Sequence, residues 1–160
     1  MKNWKVLFVK PRTEKKMTEY CSLYEIPFFL PLREKTRVVQ RRKVTVRLPV
    51  FPGYVFARFG PSQRRLLLET NLLVRILEPE NPRRMLRELV MVRRALRANP
   101  ALTAAKPLAK GRRVRIISGP FMGIEGRVAR LTGTLKVILN VDLIGQAVSV
   151  TAETGQVEAL

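Results

Sequence analysis

The sequence predicts an α+β protein: a mixed N-terminal domain, a linker and a small all-β C-terminal domain. Three observations carry this. Over residues 1–98, apolar residues switch between strict alternation, which marks half-buried strands, and i, i+3, i+4, i+7 spacing, which marks amphipathic helices. Residues 99–110, "NPALTAAKPLAK", have prolines, small residues and no periodicity, as a linker does. Residues 111–160 hold short β-branched runs separated by Gly at turn-like intervals, enough for five strands of a small barrel. At 160 residues, 46% of them hydrophobic, the chain can bury a core.

The elements follow in order. "NWKVLFV" alternates, with Trp4, Val6 and Phe8 on one face, and Pro11 ends the strand. Thr13 is placed to cap a helix over 13–24, because Met17, Tyr20, Cys21 and Tyr24 share one stripe. "IPFFLPL" is a short extended piece between prolines, suited to a sheet edge. "TRVVQRRKVTVRL" sets Val39 on one arm and Val44, Val46 and Leu48 on the other, a β-hairpin with a basic tip. "VFPGYVFARF", residues 50–59, is a further strand in which Pro52 and Gly53 make a bulge or turn that aims Tyr54. Ser62 is the expected N-cap of a second helix, "LLVRIL" is a strand, and "EPENP" is a turn. The clearest helix covers 83–98, with Met85, Leu89, Val92 and Leu96 as its stripe and Arg83, Arg84, Arg87, Arg94 and Arg97 around it.

Charge narrows the function classes. Thirty-one Lys and Arg against twelve Asp and Glu give a net of +19. Residues 1–98 hold 23 basic and 8 acidic side chains, a net of +15, whereas residues 111–160 hold 6 and 4, a net of +2. Nucleic acid is the first partner such a balance suggests. His is absent, which removes the commonest general base and metal ligand, and the few carboxylates form no acid/base pair. We therefore expect no enzyme, no cofactor and no metal. The single Cys21 excludes an internal disulfide. The opening "NWKVLFV" is too short for a signal peptide, and no apolar run approaches the ~18 residues of a membrane span. A cytoplasmic monomer is expected.

Two stretches carry a family resemblance. "GRRVRIISGPFMGIEGRVARL" resembles the KOW motif, and "NWKVLFVKPRTEKK" followed by "FPGYVFARF" resembles the NGN domain of NusG-type transcription factors. Order, lengths and linker agree over nearly the whole chain. The resemblance implies an NGN sandwich of antiparallel sheet and helices over 1–98, a linker over 99–110 and a KOW β-barrel over 111–160. It implies a transcription elongation factor that binds the clamp helices of the largest RNA polymerase subunit, suppresses pausing or termination, and recruits a second partner through KOW.

Site residues follow by position. Along "GYVFARF", Tyr54 and Phe56 share one face and Val55, Ala57 and Phe59 the other, and alternation alone leaves open which is core. The resemblance turns Tyr54 and Phe56 towards the polymerase, together with Trp4, Phe8 and Phe51, and leaves Phe59 in the core. The hairpin's Arg37, Arg41, Arg42 and Lys43 fit either a solvated face or phosphate contacts to DNA or RNA. Lys10, Arg12, Lys15 and Lys16 lie where the family approaches nucleic acid. "SQRRLLLETN" stands where some paralogs carry a Thr/His-type motif, with Arg64, Arg65, Thr70 and Asn71 as its remaining polar groups. In the KOW part, Phe121, Met122, Ile124, Leu143 and Ile144 occupy the positions that dock the small-subunit ribosomal protein NusE or the termination factor Rho. The family's "FGR" reads "IGQ" here, and losing Arg at Gln146 bears on that contact. The changed motif, the high charge and the compact length favour a specialised paralog. In one branch of the family this segment refolds as a helical hairpin, but Val114, Ile116, Val137, Ile138, Val141, Val148 and Val150 favour a constitutive barrel. The alternative is a ribosome- or RNA-binding KOW protein that never meets polymerase; it explains the charge but not the aromatics.

Overall fold

Strands and helices alternate unevenly along the chain of the computed structural model, which describes residues 1–131 and 134–160. The order is β1 (Asn3–Val9), α1 (Glu14–Leu23), β2 (Phe28–Phe29), β3 (Leu32–Val39), β4 (Arg42–Pro49), β5 (Tyr54–Phe59), α2 (Pro61–Leu68), β6 (Leu73–Leu77) and α3 (Pro82–Ala98). Then come β7 (Ala104–Ala105), β8 (Arg113–Ile116), β9 (Glu125–Leu131), β10 (Thr134–Val141), β11 (Gln146–Ala152) and β12 (Val157–Ala159). The expected α+β class holds. Two compact units form, one from Met1–Pro31 and Phe51–Leu86, the other from Leu32–Val50 and Arg87–Leu160.

The first unit is an antiparallel sheet in the order β2-β5-β1-β6. Leu7 lies opposite Val55 and Lys5 opposite Ala57, so alternation puts Leu7, Val9, Val55, Ala57 and Phe59 on one face. There they meet Met17 and Cys21 of α1, Ile26, and Leu67 of α2 in one buried cluster. Phe59 is core, as expected. Lys5 closes the rim of this face, with Nζ 4.6 Å from the Phe59 ring centroid and donating to the Phe59 carbonyl at 2.9 Å.

Both helix starts differ in detail from expectation. Thr13 does occupy the N-cap of α1, but its hydroxyl donates backwards to Lys10 O at 2.7 Å rather than capping. Ser62 is not the cap of α2. Gly60 holds that position, Pro61 follows where no N–H is needed, and the Gly60 N–H is satisfied by Gln63 Oε1 at 3.1 Å.

The second unit contains the hairpin and the C-terminal β domain. Among the described residues β3 and β4 pair only with each other, from Leu32 opposite Pro49 to Val39 opposite Arg42. Gln40 and Arg41 make the turn at φ 48° and 65°, the left-handed pair that a two-residue hairpin requires. At the hairpin base, the Glu34 N–H donates to Pro100 O at 2.7 Å. The β domain is antiparallel in the order β12-β8-β9-β10-β11-β7, so the five expected strands are present as β8 to β12. Gly126 is required there, because a Cβ would stand 2.6 Å from Ile138 O.

Two features lay outside the expectation. The linker is partly structured: β7 pairs with β11, and the Asn140 side chain both accepts from Leu108 N at 2.9 Å and donates to Leu108 O at 2.8 Å. The second half of α3 also belongs to the β-domain core, where Ala95 and Met91 pack with Val114, Ile116, Ile124, Val137 and Leu139. The compact units thus divide the chain differently from covalent boundaries at 98 and 110.

Candidate functional site

The aromatic stretch of residues 51–56 is built on a turn held from three directions. Gly53 has φ 91°, a region that favours glycine. Its carbonyl accepts from Val9 N at 2.8 Å, its N–H donates to Glu14 Oε2 at 2.9 Å, and Tyr54 N donates to Phe51 O at 3.2 Å. A side chain at residue 53 would come within 3.0 Å of the Phe8 ring. The turn therefore delivers Tyr54 directly onto Phe8, with ring centroids 5.1 Å apart and planes tilted by 32°.

Register places Trp4, Val6 and Phe8 on the same sheet face as Tyr54 and Phe56. Phe29 joins them, its ring 6.3 Å from that of Phe56. Exposure divides this set. Trp4, Phe8 and Tyr54 are half-buried. Phe51 and Phe56 are 1% and 0% exposed, so in this structure they support the aromatic face and offer no surface of their own. Glu14 was not singled out from the sequence, although it is the buried acid that fixes the turn. An acid at the first position of a helix is a weak signal, since it commonly serves the helix itself.

The cationic candidates are all exposed. Arg37, Arg41, Arg42 and Lys43 crown the hairpin, and Lys10, Arg12, Lys15 and Lys16 lie between β1 and the first turn of α1. By contrast, the polar groups of "SQRRLLLETN" are mostly engaged at home. Arg64 pairs with Glu78 at 3.6 Å and Arg65 with Glu69 at 3.2 Å, while Thr70 Oγ1 donates to Leu67 O.

In the β domain the loop between β8 and β9 separates its apolar residues. Met122 is 67% exposed, Phe121 is half-buried against the core, and Ile124 is 1% exposed within it. Ile144 is buried and Leu143 half-buried after β10. Beside them, Arg115 on β8 donates to Glu125 at 2.8 Å and to Glu158 at 3.4 Å, and the Glu125 hydrogen bond raises the guanidinium pKa further.

No group of three His, Cys, Asp or Glu that could hold a metal ion exists among the described residues. Burial pushes the Cys21 thiol up to about 11, so it is no ready nucleophile.

The family model for transcription termination factor nusG matches residues 2–94. The chain belongs to the NusG family. Among solved structures, a Thermotoga maritima NusG described for its domain interaction is similar at TM-score 0.54 and 20% identity, over 100% of this chain and 98% of that one. At that identity it bears on fold alone, and it supports an NGN domain followed by a C-terminal β domain. A chain of the MjSpt4:Spt5 complex, conformation B, is matched at TM-score 0.31 and 16% identity, over 98% and 96%. No curated protein matches the chain. NusG membership gives the protein a role of the transcription elongation-factor kind, with RNA polymerase and nucleic acid as its classes of partner. Among the described residues, no helix is long and apolar enough to cross a membrane.

Proposed function

We propose that the protein binds the clamp helices of RNA polymerase through the face bearing Trp4, Phe8 and Tyr54, and that it suppresses pausing or termination by favouring the closed clamp. The observation that carries this is the Phe8–Tyr54 pair, half-exposed, tilted ring against ring and set on a turn that Glu14 ties down by a hydrogen bond, within the part of the chain that matches NusG. A pre-organised aromatic pair suits an apolar helix face, and buried anchors of this kind contribute about 2 kcal/mol or more each. Phe51 and Phe56 act beneath it, reached by a partner only if what covers them parts. Binding one clamp state better than the other shifts the population without any chemical step.

The cations of the hairpin and of the β1–α1 corner hold nucleic acid in the elongation complex. Met122, Phe121 and Leu143 form the part of the β domain open to a second partner, NusE or Rho, with Ile124 and Ile144 behind them. The proposed covalent organisation remains NGN over 1–98, linker over 99–110 and KOW over 111–160. The test is binding to core polymerase and to isolated clamp helices, for wild type and Tyr54→Ala, across a salt series. An aromatic socket keeps its affinity as salt rises and loses about 30-fold in the variant, the equivalent of one 2 kcal/mol anchor. Binding that disappears with salt and ignores Tyr54 would replace this reading with the RNA-binding one.

A further inference from the structure

Residues 32–49 contain seven Lys or Arg, one Glu and no aromatic residue. The register of the hairpin sorts them. Partners at alternate rungs share a face. One face therefore carries Arg33 opposite Leu48, Lys35 opposite Val46, Arg37 opposite Val44 and Val39 opposite Arg42. Every rung on it sets one cation against one aliphatic side chain, and the order reverses at the last rung. No anion lies on that face. The other face has Leu32 opposite Pro49, Glu34 opposite Arg47, Thr36 opposite Thr45 and Val38 opposite Lys43, with Arg47 and Glu34 3.8 Å apart.

Among the described residues this ribbon pairs with no third strand, its one edge contact being that of Glu34 with Pro100 at the base, and every residue from 35 to 45 is exposed. Val39 and Val44 are 51% and 41% exposed beside the cations, and although Val38 is 72% exposed beside Lys43 on the other face, only the first face repeats the cation–aliphatic pairing at every rung. We propose that this face of the hairpin inserts into the major groove of duplex DNA. The proposal deepens the nucleic-acid part of the proposed function and rests on it.

Dimensions and chemistry agree. Two strands about 4.8 Å apart, with side chains, fit a major groove about 12 Å wide, and B-DNA grooves do admit two-stranded ribbons. Base edges there present guanine O6 and N7 to Lys or Arg and thymine methyls to aliphatic groups. A rung of cation and aliphatic reads both kinds at once. The face thus prefers guanine beneath Lys35 and Arg37 on β3, and thymine beneath the exposed Val44 on β4, with Val46 half-buried at the next rung towards the base. Single strands are disfavoured for want of any stacking aromatic. The A-form RNA major groove is too deep and narrow for side chains to read.

The experiment is anisotropy of the full chain with a labelled 20-base-pair DNA of mixed G and T content, without polymerase. The same sequence as single-stranded DNA and as duplex RNA provides comparison. Two variants each remove two charges: Lys35→Gln with Arg37→Gln on the proposed face, and Lys43→Gln with Arg47→Gln on the other. We expect duplex DNA to bind tightest. The first variant should lose about tenfold or more on this duplex and relax its preference for guanine, and the second should lose less. Methyl green, which fills the major groove, should compete; netropsin, in the minor groove, should not. Equal loss from both variants, duplex RNA or single strands bound as tightly, or competition by netropsin alone would overturn the proposal. Because polymerase is absent, such a failure leaves the Tyr54 result standing on its own.

Discussion

Glu14 shows how much one buried side chain governs at the residue scale. It is 7% exposed, and its carboxylate accepts from the Gly53 amide across 39 residues of sequence. Glu14→Ala leaves that N–H unpaired in a buried place, at about 1–3 kcal/mol. Thermal melting should show the loss directly. Glu14→Gln keeps an acceptor and should recover most of it, while a freely rotating Tyr54 should weaken clamp-helix binding in the Ala variant alone. Cys21 offers a second single-residue test. Its thiol is raised to about 11 by burial, so the folded chain holds the proton that the unfolded chain releases near 9. Stability from this group is present below pH 9 and is lost as pH rises towards 11. Iodoacetamide at pH 8 should label Cys21 only after urea unfolds the chain; prompt labelling in buffer would refute its burial.

Among the elements, those governed by local periodicity were legible in the sequence. β1, α1, β5, β6 and the hairpin all fall where alternation or helical spacing put them, because each needs only its own residues to declare a buried face. The same parity set Phe59 and Tyr54 on opposite faces, but which face is core followed from the resemblance and not from the alternation. What escaped was set by distant partners. β7 is two alanines that become a strand only because β11 lies beside them, and Leu108 is fixed by an amide 32 residues away. The cap of α2 escaped because Pro61 and Gln63 together make Gly60 sufficient. The burial of Phe51 and Phe56 has no local signal either, since an aromatic at a partner surface and one in a core have the same spacing. A prediction belongs to the Asn140 clamp. Asn140→Ala removes both bonds to Leu108, so the Leu108 amide should exchange with solvent at least about tenfold faster, the effect of one net hydrogen bond. Unchanged protection would mean that β7 alone holds the linker.

Across the whole molecule, charge and cooperativity follow different divisions. Net charge concentrates before residue 98, but packing assigns the second half of α3 to the β domain, where Ala95 is fully buried and Met91 Sδ accepts from Glu125 N at 3.4 Å. The helix end and the β domain are therefore expected to open together. Amides of residues 93–98 and of residues 137–139 should exchange with similar opening free energies in the wild type. Ala95→Asp puts a carboxylate with no cation in its core cluster among Val114, Ile116 and Val137. A buried charge of that kind is relieved most cheaply by separation of α3 from the sheet. Exchange at residues 93–98 should then accelerate well ahead of that at 137–139, because β10 keeps both neighbours, β9 and β11. If the two sets accelerate equally, the sheet depends on the helix for its own stability, and the β domain is not an independent partner-binding module. If neither changes, the helix end was never part of that core. The intermediate result, a released helix end beside an intact sheet, is the one that a carrier of two separate docking surfaces requires.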